Sequence, residues 1–214
     1  MVLLCVVVIG GALFARHQAN TIIAEFSSLD TLSDPSATAN ALMRKYRNHL
    51  VDENCQSSLC QYQFLFTNKA ISTFRVVPRA EIRVYVTMNR AALSIVNLEY
   101  TSAVFKADSP IVGVQEDFCR VGGVPPCDYF YIDPHGWNVL KTWNGSVMFG
   151  QMATMEHRRA AWALNPKCFT EWRGCTNISE LLPTIWKLTS PVAVSSRMRS
   201  MADSIADASQ PLPE

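Results

Sequence analysis

The chain has 214 residues, with 19 Lys and Arg against 18 Asp and Glu, so its formal net charge is only +1. This balance offers no electrostatic argument for binding nucleic acid, and no nucleic-acid-binding motif is found. Hydrophobic residues make up 49% of the chain and aromatic residues 10%, which argues against general disorder. The length suffices for one domain with a sizeable core.

An uncharged hydrophobic segment runs from Met1 to Ala15. It suits a signal anchor or the core of a signal peptide, although a helix needs ~20 residues to span a bilayer. Arg16 and His17 follow it and no Lys or Arg precedes it, which by the positive-inside rule favours the wrong orientation for an exported domain. We therefore expect further basic residues upstream. Residues 12–15 make a poor cleavage site, so we prefer an uncleaved anchor over a cleaved signal. A buried core helix is the third interpretation.

Six of the seven cysteines lie beyond this segment, in three close pairs: Cys55 and Cys60, Cys119 and Cys127, Cys168 and Cys175. An even number of cysteines after an export segment predicts three disulfides. Local pairing is the simplest connectivity, but sequence alone does not choose among the alternatives. A metal site is disfavoured because no pair has C-x-x-C spacing and no His lies at ligand spacing. We predict no metal and no cofactor.

The first third of the chain has helical patterns. Residues 18–32 continue the anchor as a juxtamembrane helix or linker, with one apolar stripe: Ile22, Ile23, Phe26 and Leu29. A second helix begins at Ser33-Asp34-Pro35, where Asp or Ser caps free amides and Pro fits the first turn. We expect that helix to reach about Leu50 and to end at the loop between the first two cysteines. Its predicted apolar face is Ala39, Leu42, Met43, Tyr46 and Leu50.

Alternating patterns predict strands in the middle of the chain. They cover residues 61–67, 81–88, 92–100 and 111–119, and a turn at Asn89-Arg90 makes the second and third a hairpin. Further strands at 129–132, 137–143 and 146–152 are joined by an Asp133-Pro134-His135-Gly136 turn and by Asn144-Gly145. That region is predicted to be a three-strand meander.

The C-terminal third is mostly helical in pattern. Thr154 caps a helix over 154–164, and a short helical piece covers 179–186. Three tryptophans in this region are interpreted as core residues, with a ligand or partner surface as the alternative: Trp162, Trp172 and Trp186.

Hairpins dominate this order of elements and βαβ alternation is absent. We therefore predict an α+β fold, a mostly antiparallel sheet with hairpins and a meander, packed by N- and C-terminal helices. One N-terminal transmembrane or signal segment precedes it. The predicted organisation is a signal anchor or signal peptide (1–17), a juxtamembrane helix or linker (18–32), an extracytoplasmic domain (33–188) and a flexible tail (189–214).

Asp133 and His135 are the most attractive catalytic candidates, because an Asp-x-His pair can serve as a general base or bind a metal. Asp133 and His135 also lie in a predicted turn, where the backbone conformation alone explains why these residue types occur. We prefer that interpretation. His157 follows Glu156 on the first turn of a predicted helix, where Glu suits the helix dipole. We keep Asp133, His135 and His157 as polar candidates and assign no catalytic residue.

Glu116 and Asp117 are adjacent, so in a strand they point to opposite faces and do not form a carboxylate pair. No nucleophile elbow, zinc-protease, Walker or Rossmann motif is present. The loop at Gly122-Gly123 is either a plain connection or a constrained binding loop.

The C-terminal segment 158–186 reads R-R-A-A-W-A-L-N-P-K-C-F, then R-G-C-T, then E-L-L-P-T-I-W. It resembles uncharacterised single-anchor envelope proteins of acidobacteria. These similarly carry a hydrophobic N-terminus, an early helix, a C-x4-C-like step into a strand, and an Asn-x-x-Cys…Gly-Cys…Leu-Leu-Pro run. The resemblance implies a bacterial envelope location and a disulfide between Cys168 and Cys175. It implies no activity, and the weak N-terminus here departs from the pattern.

These observations predict a membrane-anchored, extracytoplasmic domain of the envelope or periplasm, secreted if the N-terminal segment is cleaved. The expected role is non-catalytic binding or assembly, with the membrane and an envelope protein as partners and no nucleic acid. The alternative is an envelope hydrolase that uses Asp133, His135 or His157.

Overall fold

The structure is a computed structural model that describes residues 2–29, 34–67, 80–101, 111–118, 130–133, 145–150, 153–170, 175 and 177–188. Side chains are described from residue 9 onwards and, within 130–133, for Ile132 alone. The predicted strand at 137–143, the Gly122-Gly123 loop, Trp172 and the predicted tail lie outside these ranges.

The first helix, α1 (Val2–Ser27), is continuous for 26 residues. The apolar stripe noted in the sequence, Ile22, Ile23, Phe26 and Leu29, lies in the core, so this part of the chain packs with the domain. Among the residues that the structure describes, no helix is both long enough and apolar enough to cross a membrane.

The second helix, α2 (Pro35–Lys45), begins as predicted. The Asp34 carboxylate accepts the N–H of Ala37 at 2.9 Å, and Pro35 occupies the first helical position. The helix is shorter than predicted, because a 3₁₀ turn (Arg47–His49) ends it and Leu50 opens a strand.

Within the described residues a seven-stranded sheet has the order β1-β2-β3-β4-β5-β7-β6. The strands are β1 (Leu50–Gln56), β2 (Leu59–Thr67), β3 (Glu81–Asn89), β4 (Ala92–Thr101), β5 (Ile111–Asp117), β6 (Phe130–Asp133) and β7 (Gly145–Phe149). All neighbouring strands are antiparallel except β5 and β7, which are parallel. The predicted α+β class with a mostly antiparallel sheet is therefore confirmed.

The first hairpin differs from the sequence prediction. The cysteines Cys55 and Cys60 do not close a helix-ending loop but face each other across β1 and β2, beside the turn at Ser57 and Ser58. Residues 51–56 are all exposed, so β1 has no apolar face and no alternation by which sequence could find it.

The second hairpin is present as predicted, but its turn lies one residue later. Arg90 and Ala91 have φ values of 48° and 65°, in the left-handed region. Two positive φ values are typical of the type I′ turn, whose twist matches that of paired strands.

The predicted three-strand meander is wrong. Strand β7 pairs with β5 on one edge and with β6 on the other, so neither edge is left for a strand between β6 and β7. Gly145 is the first residue of β7 rather than a turn residue with positive φ.

One face of the sheet carries the core. Alternate residues of β3, β4, β5 and β7 are buried there with the helices, among them Val84, Leu98, Val114 and Phe149. The covering elements are α1, α2, α3 (Met155–Trp162), α4 (Ile178–Leu181) and two 3₁₀ segments, Pro166–Phe169 and Ile185–Lys187. Helix α1 contacts α3 and the first of these 3₁₀ segments, and α2 contacts β4.

Candidate functional site

The surroundings of α1 change along its length. Ile9, Leu13 and Phe14 are 59%, 61% and 68% exposed, whereas Ala15 and Ala19 are buried. We call residues 2–14 the apolar segment and residues 15–27 the docked segment. One unbroken helix contains both segments.

The docked segment is tied to α2 by polar contacts. The Glu25 carboxylate accepts hydrogen bonds from Lys45 Nζ at 2.5 Å and from the Tyr46 hydroxyl at 3.0 Å. Burial and the neighbouring Glu25 carboxylate raise the pKa of Tyr46. The Tyr46 ring also stacks on Phe26, with 6.1 Å between ring centres.

A buried ion pair lies beneath α1 and α3. Glu116 of β5 is 1% exposed and Arg158 of α3 is 7% exposed, and an Arg158 guanidinium nitrogen donates to Glu116 Oε1. The second carboxylate oxygen accepts from Trp162 Nε1 at 3.1 Å. We call Glu116, Arg158 and Trp162 the buried polar cluster.

Backbone and aromatic groups complete the surroundings of Arg158. Its Nε donates to the carbonyl of Ala153 at 3.1 Å, and a terminal nitrogen donates to the carbonyl of Gly150 at 3.0 Å. The guanidinium carbon lies 5.5 Å from the centre of the Phe149 ring. A buried charge is tolerated when it is paired and hydrogen-bonded in this way.

A cavity of about 330 Å³ lies between α1 and α3, with the buried polar cluster in its wall. Its lining is completed by Asn20, Ile23, Ala24, Ser27, Met155, Arg159 and Leu164. It contains no His or Cys, and its one carboxylate is already held by Arg158 and Trp162. Among the described residues no group of three or more His, Cys, Asp or Glu could hold a metal ion.

Comparison of this chain with known protein families, with curated proteins and with solved structures finds no match.

Of the three polar candidates from the sequence, Asp133 and His157 belong to different elements. The backbone of Asp133 lies opposite Ser146 near the start of β7, whereas α3, which carries His157, follows the far end of that strand. His157 Nδ1 lies 2.9 Å from the Thr154 hydroxyl, which also accepts the His157 N–H at 3.2 Å. His135 lies outside the described residues.

Two of the three predicted disulfides are present, Cys55–Cys60 and Cys168–Cys175. Both pairings are local. Cys119 and Cys127 lie outside the described residues, so the third disulfide stays a prediction.

Two of the three C-terminal tryptophans are described. Trp162 is buried in the core, as the core interpretation predicts. Trp186 packs against the core, and its Nε1 donates to the carbonyl of Ile178 at 3.1 Å.

Sequence reasoning missed the buried polar cluster. Glu116 shares a strand face with Val112 and Val114, and Arg158 lies one helical turn from Trp162. The available signal was a charged residue at a position where the apolar pattern predicts burial. Nothing in the sequence indicated that Glu116 and Arg158 contact each other.

Proposed function

We propose that this chain is a membrane-anchored, extracytoplasmic domain of a bacterial cell envelope that acts by binding or assembly rather than by catalysis. The observation that carries the proposal is the exposure of Ile9, Leu13 and Phe14 on a helix whose next turns are buried in the domain. Large apolar side chains at this density favour insertion into hydrocarbon, at roughly 1.5–3 kcal/mol for each one removed from water.

The geometry of α1 supports an anchor that holds the domain close to the bilayer. At about 1.5 Å per residue the apolar segment rises about 20 Å. Arg16 and His17 directly follow it, so the first charged side chains lie where such a helix would leave the hydrocarbon for the headgroups. The docked segment then joins the domain without a flexible linker, so membrane and domain are mechanically coupled.

The disulfides support the location. Cys55–Cys60 and Cys168–Cys175 are typical of a protein that matures in an oxidising compartment. The resemblance of the segment 158–186 to acidobacterial envelope proteins points the same way.

A non-catalytic role is supported by the state of the charged groups in the cavity wall. Glu116 and Arg158 bind each other and are held by Trp162 and by backbone carbonyls. Groups engaged in this way position α3 on the sheet and are poorly suited to exchange protons with a substrate.

The test is membrane partition of the full chain. Purified protein is mixed with liposomes, floated on a density gradient and washed with alkaline carbonate. Wild type is expected to float, and a Leu13→Glu/Phe14→Glu variant is expected to float at least about tenfold less, because charge is costly in hydrocarbon. Val51→Glu is the matched control, since Val51 is an equally exposed apolar residue on β1. A wild-type chain that stays in the aqueous fraction would contradict the anchor.

The compartment is tested separately. Free thiols are alkylated in the native membrane fraction, and intact mass is measured with and without reduction. The proposal expects Cys55, Cys60, Cys168 and Cys175 to be protected until reduction. Alkylation of all four before reduction would place the domain in a reducing compartment.

A further inference from the structure

We infer that the outer edge of β1 is a docking site for an extended, basic strand from a partner protein, which adds to the sheet as an eighth strand. Strand β1 is an edge strand of the sheet, and within the described residues no strand pairs with its second edge. This inference concerns the face of the domain formed by the first hairpin, so it stands independently of the membrane anchor.

The edge is open to solvent. Every residue of 51–56 is exposed, including Val51 at 54%, and Leu59 on the neighbouring strand is 46% exposed. An exposed strand edge of this length presents unpaired N–H and C=O groups that another strand can bind.

The register identifies the groups that face outwards. Gln56 and Leu59 pair across the two-residue turn, so Gln56 directs its N–H and C=O towards β2. Because this direction alternates along an antiparallel ladder, Glu53 and Cys55 direct theirs away from β2. The irregularity in β1 lies between Leu50 and Asp52, which leaves 52–56 regular.

The disulfide makes the hairpin that carries this edge rigid. Cys55 and Cys60 are cross-strand partners, and their bond fixes the register of the hairpin near its tip. The tip is also held by a hydrogen bond from the N–H of Arg90 to the carbonyl of Ser58 at 2.8 Å. An edge that is already rigid loses less conformational entropy on binding.

Charge selects the partner. Asp52 and Glu53 are exposed, and neither β1 nor β2 contains a Lys or Arg. A second copy of the chain, paired through β1, would add acidic side chains on both faces of the sheet, with no base on these strands to offset them. Charge complementarity therefore favours a partner strand that carries Lys or Arg.

The test uses the full chain in non-ionic detergent and a fluorescent peptide of alternating Lys and Val, matched to the seven residues of β1. Saturable binding is expected by fluorescence anisotropy, and hydrogen exchange at the amides of Glu53 and Cys55 is expected to slow. The amide of Asn54, which faces β2, serves as the internal control.

Two controls separate strand addition from charge attraction. A peptide N-methylated at alternate amides keeps its charge but cannot form the ladder, so it is expected not to bind. Glu53→Lys is expected to weaken binding about tenfold, whereas Glu156→Lys, a reversal of another exposed glutamate on α3, is expected to leave it unchanged.

The inference is overturned if the unmodified peptide fails to bind, or if the N-methylated peptide binds equally well. It is also overturned if sedimentation shows that the chain dimerises through β1, with dimerisation strengthened by Glu53→Lys. Flotation on liposomes is measured on the same preparation, so that loss of the anchor is distinguished from loss of the edge.

Discussion

Gly145 is required for a close approach and not for an unusual backbone angle. A Cβ at this position would lie 3.0 Å from Trp186 Cη2 and 3.3 Å from the Ile178 side chain. Those two residues belong to the C-terminal segments that pack on β7, so the missing side chain allows them to seat on the sheet.

We expect Gly145→Ala to destabilise the domain by about 1–3 kcal/mol, because the tightly packed Trp186 and Ile178 side chains have to give by a few tenths of an ångström. Urea unfolding of the full chain measures this. Gly10→Ala is the matched control, since no atom lies within 4 Å of its Cβ position and Ala favours a helix. Equal stability of wild type and Gly145→Ala would show that the C-terminal segments pack loosely.

Tyr85 links stability to alkaline pH. Its hydroxyl donates to Glu99 at 3.0 Å, and burial together with the Glu99 charge raises the pKa of Tyr85 from 10.0 to about 12. The unfolded chain therefore loses this proton at lower pH than the folded chain. The resulting stabilisation is complete below pH 10 and is lost as pH rises towards 12.

We expect Tyr85→Phe to be less stable than wild type at neutral pH and to lose less further stability between pH 10 and pH 12. Urea unfolding at a series of pH values measures both effects. Glu99→Gln should bring the pKa of Tyr85 down towards 10, read as an earlier rise in tyrosinate absorbance relative to Tyr85→Phe. Identical pH profiles for wild type and Tyr85→Phe would contradict this account.

At the scale of elements, the buried polar cluster joins β5 to α3. Glu116 and Arg158 are 42 positions apart in the sequence and form a buried ion pair. Their pairing therefore sets where α3 lies on the sheet.

Glu116→Gln removes the carboxylate that pairs with the buried Arg158 guanidinium, and we expect a loss of about 3–5 kcal/mol. The double variant Glu116→Leu/Arg158→Met removes both charges and is expected to stay within about 2 kcal/mol of wild type. A thermodynamic cycle with both single variants, followed by urea unfolding, separates the pair energy from packing. A double variant as unstable as the sum of the two singles would rule out coupling.

Element boundaries were predicted where the signal is local. The caps at Asp34 and Thr154 accept the backbone N–H groups of Ala37 and His157, as the sequence indicated. Strand β1 was missed because its side chains are polar and exposed on both faces. Its existence depends on pairing with β2, which a periodicity search does not detect.

In the molecule as a whole, one part of α1 is buried in the domain core and another part is exposed. Its docked segment supplies fully buried side chains to the core, whereas Ile9, Leu13 and Phe14 of the apolar segment are exposed. Ile22, Phe26 and the adjacent Leu29 are fully buried, and burial of each is worth roughly 1.5–3 kcal/mol.

We expect a chain that starts at residue 15 to fold, because the side chains removed at 9, 13 and 14 are exposed. A chain that starts at residue 30 is expected to unfold or aggregate, because it loses the buried stripe. Circular dichroism and cooperative urea unfolding distinguish the two. A cooperative transition in the shorter chain would show that α1 docks on an already stable domain.

Features that depend on residues close together in the chain could be predicted from the amino-acid sequence. It predicted the α+β class, the starts of α2 and α3, the apolar stripe of α1 and most strands, because caps and apolar periodicity act over a few positions. The two disulfides that are described are also local pairs.

Features that depend on contacts between distant parts of the chain became visible in the folded structure alone. It placed β7 between β5 and β6, assigned Gly145 to a close packing contact, and joined Glu116 to Arg158. It also separated the exposed from the docked part of α1. These features depend on which residues come into contact when the helices pack on the sheet. A short stretch of sequence does not specify those contacts.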